Sequence, residues 1–318
     1  QRYGFSQKTG VIGKKFHSLS LNVRVALSSG REMTPSIPTR PPTCQPRNTM
    51  LSTPNERFKR AYVFLLTGSC HPPNLARLSA CRDKADVGSI YLIRHGQASF
   101  GADDYDVLSP LGVQQASIVG QHLVDMGLEF DRCLSGDLLR QQHTAQHAMA
   151  QFDSAPALEI DTAFNEFDAF AVVKALVPAL LPEQPEALAV FNNPTADPVA
   201  FQHFFDLIIK RWITGAYDTP ELESWLDFVA RVQGGLDRLL DSSKEQQNIV
   251  VFTSGGTLTA LLHLLTHIPA NDAFKLTWHI ANTSLSRLKF SGREVTLASF
   301  NSHAHLQLLK TPSLITYR

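Results

Sequence analysis

Arg94-His95-Gly96-Gln97 follows directly on the apolar run Ser89-Ile90-Tyr91-Leu92-Ile93. A β-branched and aromatic run that ends at a glycine reads as a buried strand giving way to a tight loop, and strand-end loops are where layered α/β proteins keep their sites. A guanidinium beside an imidazole suits phosphate chemistry: its fork of N–H donors takes phosphate oxygens, while a neutral ring nitrogen attacks phosphorus. His95 is therefore the candidate nucleophile and Arg94 a candidate phosphate ligand.

Further signals lie downstream. Ser109-Pro110-Leu111-Gly112 opens an amphipathic segment, Cys133-Leu134-Ser135-Gly136-Asp137-Leu138-Leu139-Arg140 runs on to Thr144-Ala145, and Val250-Val251-Phe252-Thr253-Ser254-Gly255-Gly256 comes much later. In that order and at those spacings the segments resemble the histidine phosphatase superfamily, also called the phosphoglycerate-mutase-like family, from about Ser89 to about Leu306. The resemblance implies a phosphohistidine on His95, with Arg94 and Arg140 clamping the equatorial oxygens of the transferring group. It also implies a carboxylic acid after the strand that follows the Arg140 helix. Glu166, in Phe164-Asn165-Glu166-Phe167, matches that place, and its aromatic neighbours would raise its pKa by desolvation. Glu159 and Asp168 compete for the role. Gln97 and Ser254 are candidate phosphate ligands through neutral donors, and neither a cofactor nor a metal is expected.

One departure from the family pattern bears on activity. Where the family carries a second catalytic histidine, this chain has Ser254. A serine offers a neutral hydrogen bond, and charge-assisted bonds are roughly twice as strong. Losing one preorganised donor costs about 10²–10³ in rate. The expected function is therefore metal-independent phosphomonoester hydrolysis, slowed by Ser254. The alternative is a phosphate-binding or scaffolding protein of the same fold; mutase-type phosphotransfer is disfavoured because Lys174, Lys210 and Arg211 are the only cations in the insertion described next.

These residues need a scaffold. Ser109 is a good N-cap with Pro110 at the first helical position, Val119 and Leu123 lie on one apolar face, and Gly127 closes the helix in a left-handed conformation. A strand near 131–135, a helix from about Asp137 to Met149, a helix over 221–240, a strand over 248–253, a helix over 257–265 and strands over 284–290 and 294–300 complete the alternation of an α/β fold. The fold class is thus a three-layer sandwich with a mixed, mostly parallel central sheet. Residues from about 170 to 217, with five prolines among aromatic side chains, read as a helical cap insertion. His263 and His267 have a metal-pair spacing, but no glutamate lies between them and the face is apolar. His303 and His305 alternate along an extended segment.

The chain has 318 residues, 43% hydrophobic and 18% charged, enough for one core of about 200 residues and something extra. The net charge of zero conceals an asymmetry: residues 1–88 hold fourteen Lys/Arg against four Asp/Glu, and residues 89–318 hold fifteen against twenty-five. That acidity disfavours nucleic-acid binding by the main domain, so a local arginine cluster must hold any phosphate of a small phosphorylated substrate. Residues 1–88 are Pro- and Ser-rich with no hydrophobic period and read as a basic, disordered leader or targeting segment; residues 89–318 form the domain. A cytoplasmic location is expected, or an organelle or export route if the leader is genuine, and no segment is long enough to span a membrane. The four cysteines lack metal or disulfide spacing.

Overall fold

The computed structural model describes residues 87–99, 106–194, 196–244 and 246–317; the expected leader over 1–88 lies almost wholly outside them. Strand β1 (Gly88–Arg94) is buried at every position. Helix α1 (Pro110–Asp125) starts at Ser109, whose side chain accepts the Gly112 amide, and ends where Gly127, at φ +65°, donates its N–H to Val124 O at 2.8 Å. Strand β2 (Arg132–Ser135) leads to helix α2 (Leu139–Met149), and strand β3 (Leu158–Ile160) to a 3₁₀ turn over Thr162–Phe164. Three helices follow as the insertion: α3 (Ala169–Leu180), α4 (Ala187–Asn192) and α5 (Pro198–Thr214). Then come α6 (Trp225–Asp241), strand β4 (Asn248–Thr253), α7 (Gly255–Thr266) and α8 (Ala270–Thr277). Strands β5 (Leu285–Ser291) and β6 (Glu294–Ser302) and the short α9 (Ala304–Gln307) close the fold.

The strands form one sheet in the order β3-β2-β4-β1-β5-β6. The first four are mutually parallel, and β5 and β6 join antiparallel, so the sheet is mixed as expected. Strand parity builds the layers. Ile90, Leu92, Ile249 and Val251 pack on one face with Phe228, Leu236, Leu258 and Leu261. Tyr91, Ile93, Val250 and Phe252 pack on the other with Val119, Leu123, Ala145 and Ala148. Alternate side chains of a strand point to opposite faces, so a central strand with helices on both sides must be apolar throughout. The insertion joins the first of these cores: Phe167 meets Trp212 at 4.6 Å between ring centroids and Phe228 at 5.6 Å.

Two boundaries moved for local reasons. Helix α2 begins at Leu139 and not near Asp137, because Asp137 is tied to Asn165 through its amide (2.8 Å) and its carboxylate (2.5 Å). Helix α6 begins at Trp225 because Ser224 caps it, accepting the Asp227 amide at 3.0 Å. A third expectation is corrected: His303 and His305 do not alternate along a strand. His303 stands at the N-cap of α9 and His305 is buried inside that helix. His263 and His267 part company too, since His263 lies in α7 with Nδ1 2.6 Å from Ile268 O, while His267 leaves the helix at φ 58°.

His305 predicts an acid-sensitive fold. Burial first, then His122 and His303, hold its pKa down to about 3; the ring stacks on His122 at 5.2 Å. An unfolded histidine takes up its proton near 6.5 while this one stays neutral far lower, so the contribution to stability is complete above pH 6.5 and is lost as pH falls. Because each pH step below 6.5 costs about 1.4 kcal/mol, wild type should lose roughly 2–3 kcal/mol more than His305→Gln between pH 7 and about pH 4.5 in urea unfolding. Equal losses in the two proteins would mean that the folded ring protonates freely.

Candidate active site

The parallel strands β1 and β4 deliver the site. Arg94, the last residue of β1, pairs with Thr253, and the His95 amide donates to Thr253 O at 2.8 Å. Asn282 Nδ2 donates to His95 O at 3.0 Å, and the Gly96 amide donates to Thr144 Oγ1 at 2.9 Å. Gly96 and Gly112 face each other with no room for a Cβ on either, which seats the start of α1 against the loop. The His95 ring is buried with Nδ1 2.7 Å from Gly96 O. A carbonyl only accepts, so Nδ1 carries the proton and Nε2 keeps its lone pair. Burial first, then Arg140 and Arg94, hold the His95 pKa well below its ordinary 6.5. The ring is therefore neutral at physiological pH.

Arg140 Nε donates to that lone pair at 3.3 Å. Its Nη1 pairs with Asp106 at 2.6 Å, and Asp106 also accepts the Leu139 amide at 2.9 Å. Arg94 is anchored differently: Nη1 donates to the carbonyls of Ile280 and, at 3.0 Å, Tyr317. One nitrogen of the expected phosphate fork is thus committed to the scaffold. Glu166 sits at the N-terminus of α7, where its Oε2 accepts the Gly256 amide at 3.0 Å. Gly256 is required there, since a Cβ would collide with Oε1. Desolvation raises the Glu166 pKa above 4.5 against the opposing pull of the Gly256 and Phe167 amides and both arginines. The other two carboxylates are elsewhere: Glu159 is paired with Arg132 on the edge strand at 2.6 Å, and Asp168 caps α3 by accepting the Ala171 amide at 2.9 Å.

A model of the histidine phosphatase superfamily, branch 1, matches residues 90–303, which contain Arg94, His95, Asp106, Arg140, Glu166 and Asn282. The chain belongs to the histidine phosphatase superfamily. Among curated relatives it is 35% identical over 89 residues to a 2,3-bisphosphoglycerate-dependent phosphoglycerate mutase of Rhizobium johnstonii, covering 26% of this chain and 42% of that one. It is 30% identical over 121 residues to the mitochondrial serine/threonine-protein phosphatase Pgam5 of Drosophila willistoni, covering 36% and 40%. The chain thus spans about two fifths of the length of these relatives. A crystal structure of phosphoglycerate mutase from Bacillus anthracis aligns with TM-score 0.48 and 20% identity over 71% of this chain and 98% of that one.

In this superfamily member Gln97 and Ser254 are both close to the loop, in different surroundings. The Gln97 side-chain carbonyl accepts from Ser109 Oγ at 2.8 Å, and its main-chain amide donates to Gln115 Oε1 at 2.8 Å. Ser254 is fully buried at the start of α7, and its Oγ accepts from Gln141 Nε2 at 2.8 Å. Sequence reasoning missed four contributors. Asp106 comes from a stretch with no period, and Gln141 is one more polar letter on an amphipathic helix. Asn282 is a loop residue 187 positions from the carbonyl it holds. Arg231 fixes the approach to Glu166 by donating to the carbonyls of Thr162, Ala163 and Asn165 at 3.0–3.2 Å while gripping Glu223. Nothing local set it apart from the other charged residues of its helix. Among the described residues no group of three or more His, Cys, Asp or Glu is placed to hold a metal ion, and no helix is long and apolar enough to cross a membrane. Cys133 is buried, its thiol pushed up to about 12 by burial and then by Glu159.

Proposed function

We propose that the protein hydrolyses small phosphate monoesters through a phosphohistidine on His95, without a metal. The observation that carries this reading is the His95 tautomer: Nδ1–H donates to the Gly96 carbonyl, so the lone pair is on Nε2, where it accepts from Arg140 Nε at 3.3 Å. In the first step Nε2 attacks phosphorus in line and the bond from phosphorus to the ester oxygen breaks. The leaving oxygen takes its electron pair and the proton of Glu166. Arg140 and Arg94 balance the charge on the equatorial oxygens, which is most of what phosphoryl transfer requires of a protein. In the second step Glu166, now ionised, takes a proton from water. The water oxygen bonds to phosphorus, the P–N bond breaks, and inorganic phosphate leaves with His95 neutral and Glu166 protonated again. Ser254 supplies a neutral donor where the family resemblance calls for an imidazole, so turnover is slow.

Ser254 also favours a second reading, a protein that binds phosphate esters without cleaving them. The two are separated by a panel of small phosphate esters assayed with a chelator present, followed by an alkaline quench in which phosphohistidine persists. Radiolabelled phosphate on the peptide carrying His95 is expected. Binding through Arg94 and Arg140 with neither label nor phosphate release would decide for the second reading.

A further inference from the structure

We infer that Gln141 is a positioning residue of this site, holding the Ser254 hydroxyl as a donor aimed at the phosphoryl group on its way to His95. The inference rests on the hydrolase reading above and adds a residue to it. Gln141 is completely buried. Its Nε2 donates to Phe164 O at 3.1 Å and to Ser254 Oγ at 2.8 Å. Phe164 O, which also takes the Thr253 hydroxyl at 2.7 Å, only accepts hydrogen bonds, so the amide cannot be turned over without setting two oxygens against each other. Ser254 Oγ is therefore an acceptor toward Gln141, and its own proton must go elsewhere.

No hydrogen bond from Ser254 Oγ reaches any described residue. Ser254 stands between Thr253, whose carbonyl receives the His95 amide, and Gly255, where a side-chain carbon would lie 3.7 Å from Arg94 Nε. The uncommitted proton thus belongs to a hydroxyl at the end of β4, next in the chain to the carbonyl that holds the His95 amide, where the proposed reaction brings the phosphoryl oxygens. A free serine hydroxyl samples three staggered positions. With its lone pair engaged by Gln141 the choice narrows, and a donor already aimed needs no reorganisation during the reaction. The amide also fills the space beside residue 254: Oε1 is buried without a partner and closes against Gly136, where a Cβ would clash with it. With Gln141 Nε2 only 2.8 Å from Ser254 Oγ, a ring at residue 254 would meet the amide.

The test is steady-state hydrolysis of p-nitrophenyl phosphate, with orthovanadate as a probe of the five-coordinate geometry of phosphoryl transfer. Gln141→Met keeps the volume and removes the donor. It should lower kcat by about 10-fold with KM changed less than about 2-fold, and weaken orthovanadate by the same factor as kcat. Ser254→Ala should lower kcat by about 10–100-fold, and adding Gln141→Met to it should cost nothing more, because the hydroxyl being aimed is gone. Ser254→His alone should lower kcat, whereas Gln141→Ala with Ser254→His should recover about 10-fold over that single variant. Multiplicative losses in the double variant, or an unchanged kcat in Gln141→Met, would overturn the inference by making Gln141 a packing residue. If Gln141→Met does not fold, Gln141→Glu, nearly isosteric and an acceptor in place of the donor, is read the same way. A wild type that binds orthovanadate but turns over no ester defeats the hydrolase reading alone, and the orthovanadate affinities of the same variants then decide on Gln141.

Discussion

His95→Ala should lower kcat/KM on any ester the protein cleaves by about 10³-fold or more, and abolish the alkali-stable, acid-labile label that marks a phosphorylated histidine. The size follows from the geometry. Both halves of the reaction pass through one nitrogen. The fold should survive: the ring's two hydrogen bonds, Nδ1 to Gly96 O at 2.7 Å and Nε2 from Arg140 Nε at 3.3 Å, are lost, but the loop backbone is held independently by Thr253, Thr144 and Asn282. Phosphate or orthovanadate binding through Arg140 should persist within about 10-fold. Retention of more than a few per cent of activity, measured on protein free of host phosphatase, would remove His95 from the mechanism.

Glu166→Gln should change the shape of the pH profile as well as its height. The productive form has His95 neutral and Glu166 protonated. His95 is held below 6.5 by burial and the two arginines, and Glu166 is held above 4.5 by desolvation. The wild-type kcat/KM profile should therefore be a bell whose acid limb lies well below pH 6.5, where His95 takes up a proton, and whose alkaline limb lies above pH 4.5, where Glu166 loses one. In Glu166→Gln the alkaline limb should vanish while the acid limb stays. The loss should be about 10²–10⁴-fold for alkyl phosphates, and much smaller for p-nitrophenyl phosphate, whose leaving oxygen needs no proton. An alkaline limb that persists in the variant would assign it to another group.

Much of this was legible in the residues because the signals were local. The β1 run, the Ser109-Pro110 start of α1 and the β4 run are each written in fewer than ten consecutive letters, and the alternation of sheet and helix followed from them. The one-turn helix α9 was not legible, since four residues cannot establish a helical period, and so His303 and His305 were placed on an extended segment. The site divided along the same line. His95 and Arg94 stand out as chemistry at a strand end. Glu166 is visible only through the family resemblance, because nothing local separates it from Glu159 and Asp168. Asp106 and Gln141 were out of reach, because their meaning lies in what they touch: the ion pair with Arg140 at 2.6 Å and the amide hydrogen bond to Ser254 at 2.8 Å join positions 34 and 113 apart.

The place of β1 at the middle of the sheet has a consequence for how the molecule assembles. Ser89 pairs with Asn248 and Gly88 with Phe290, so the first strand of the domain waits for partners about 160 and 200 residues downstream. The loop that carries His95 waits for Asn282 to hold its carbonyl, and the Arg94 side chain waits longest, for Tyr317. Loop-closure entropy must be met before such distant pairings return anything, which makes high contact order slow. During synthesis a strand that is buried throughout in the folded protein emerges ahead of the rest of its sheet and stays unpaired until nearly everything else has been made. That interval is when a chaperone would matter most, and a mutation that delays β4 or β5 would be felt as poor yield before it was felt as poor catalysis.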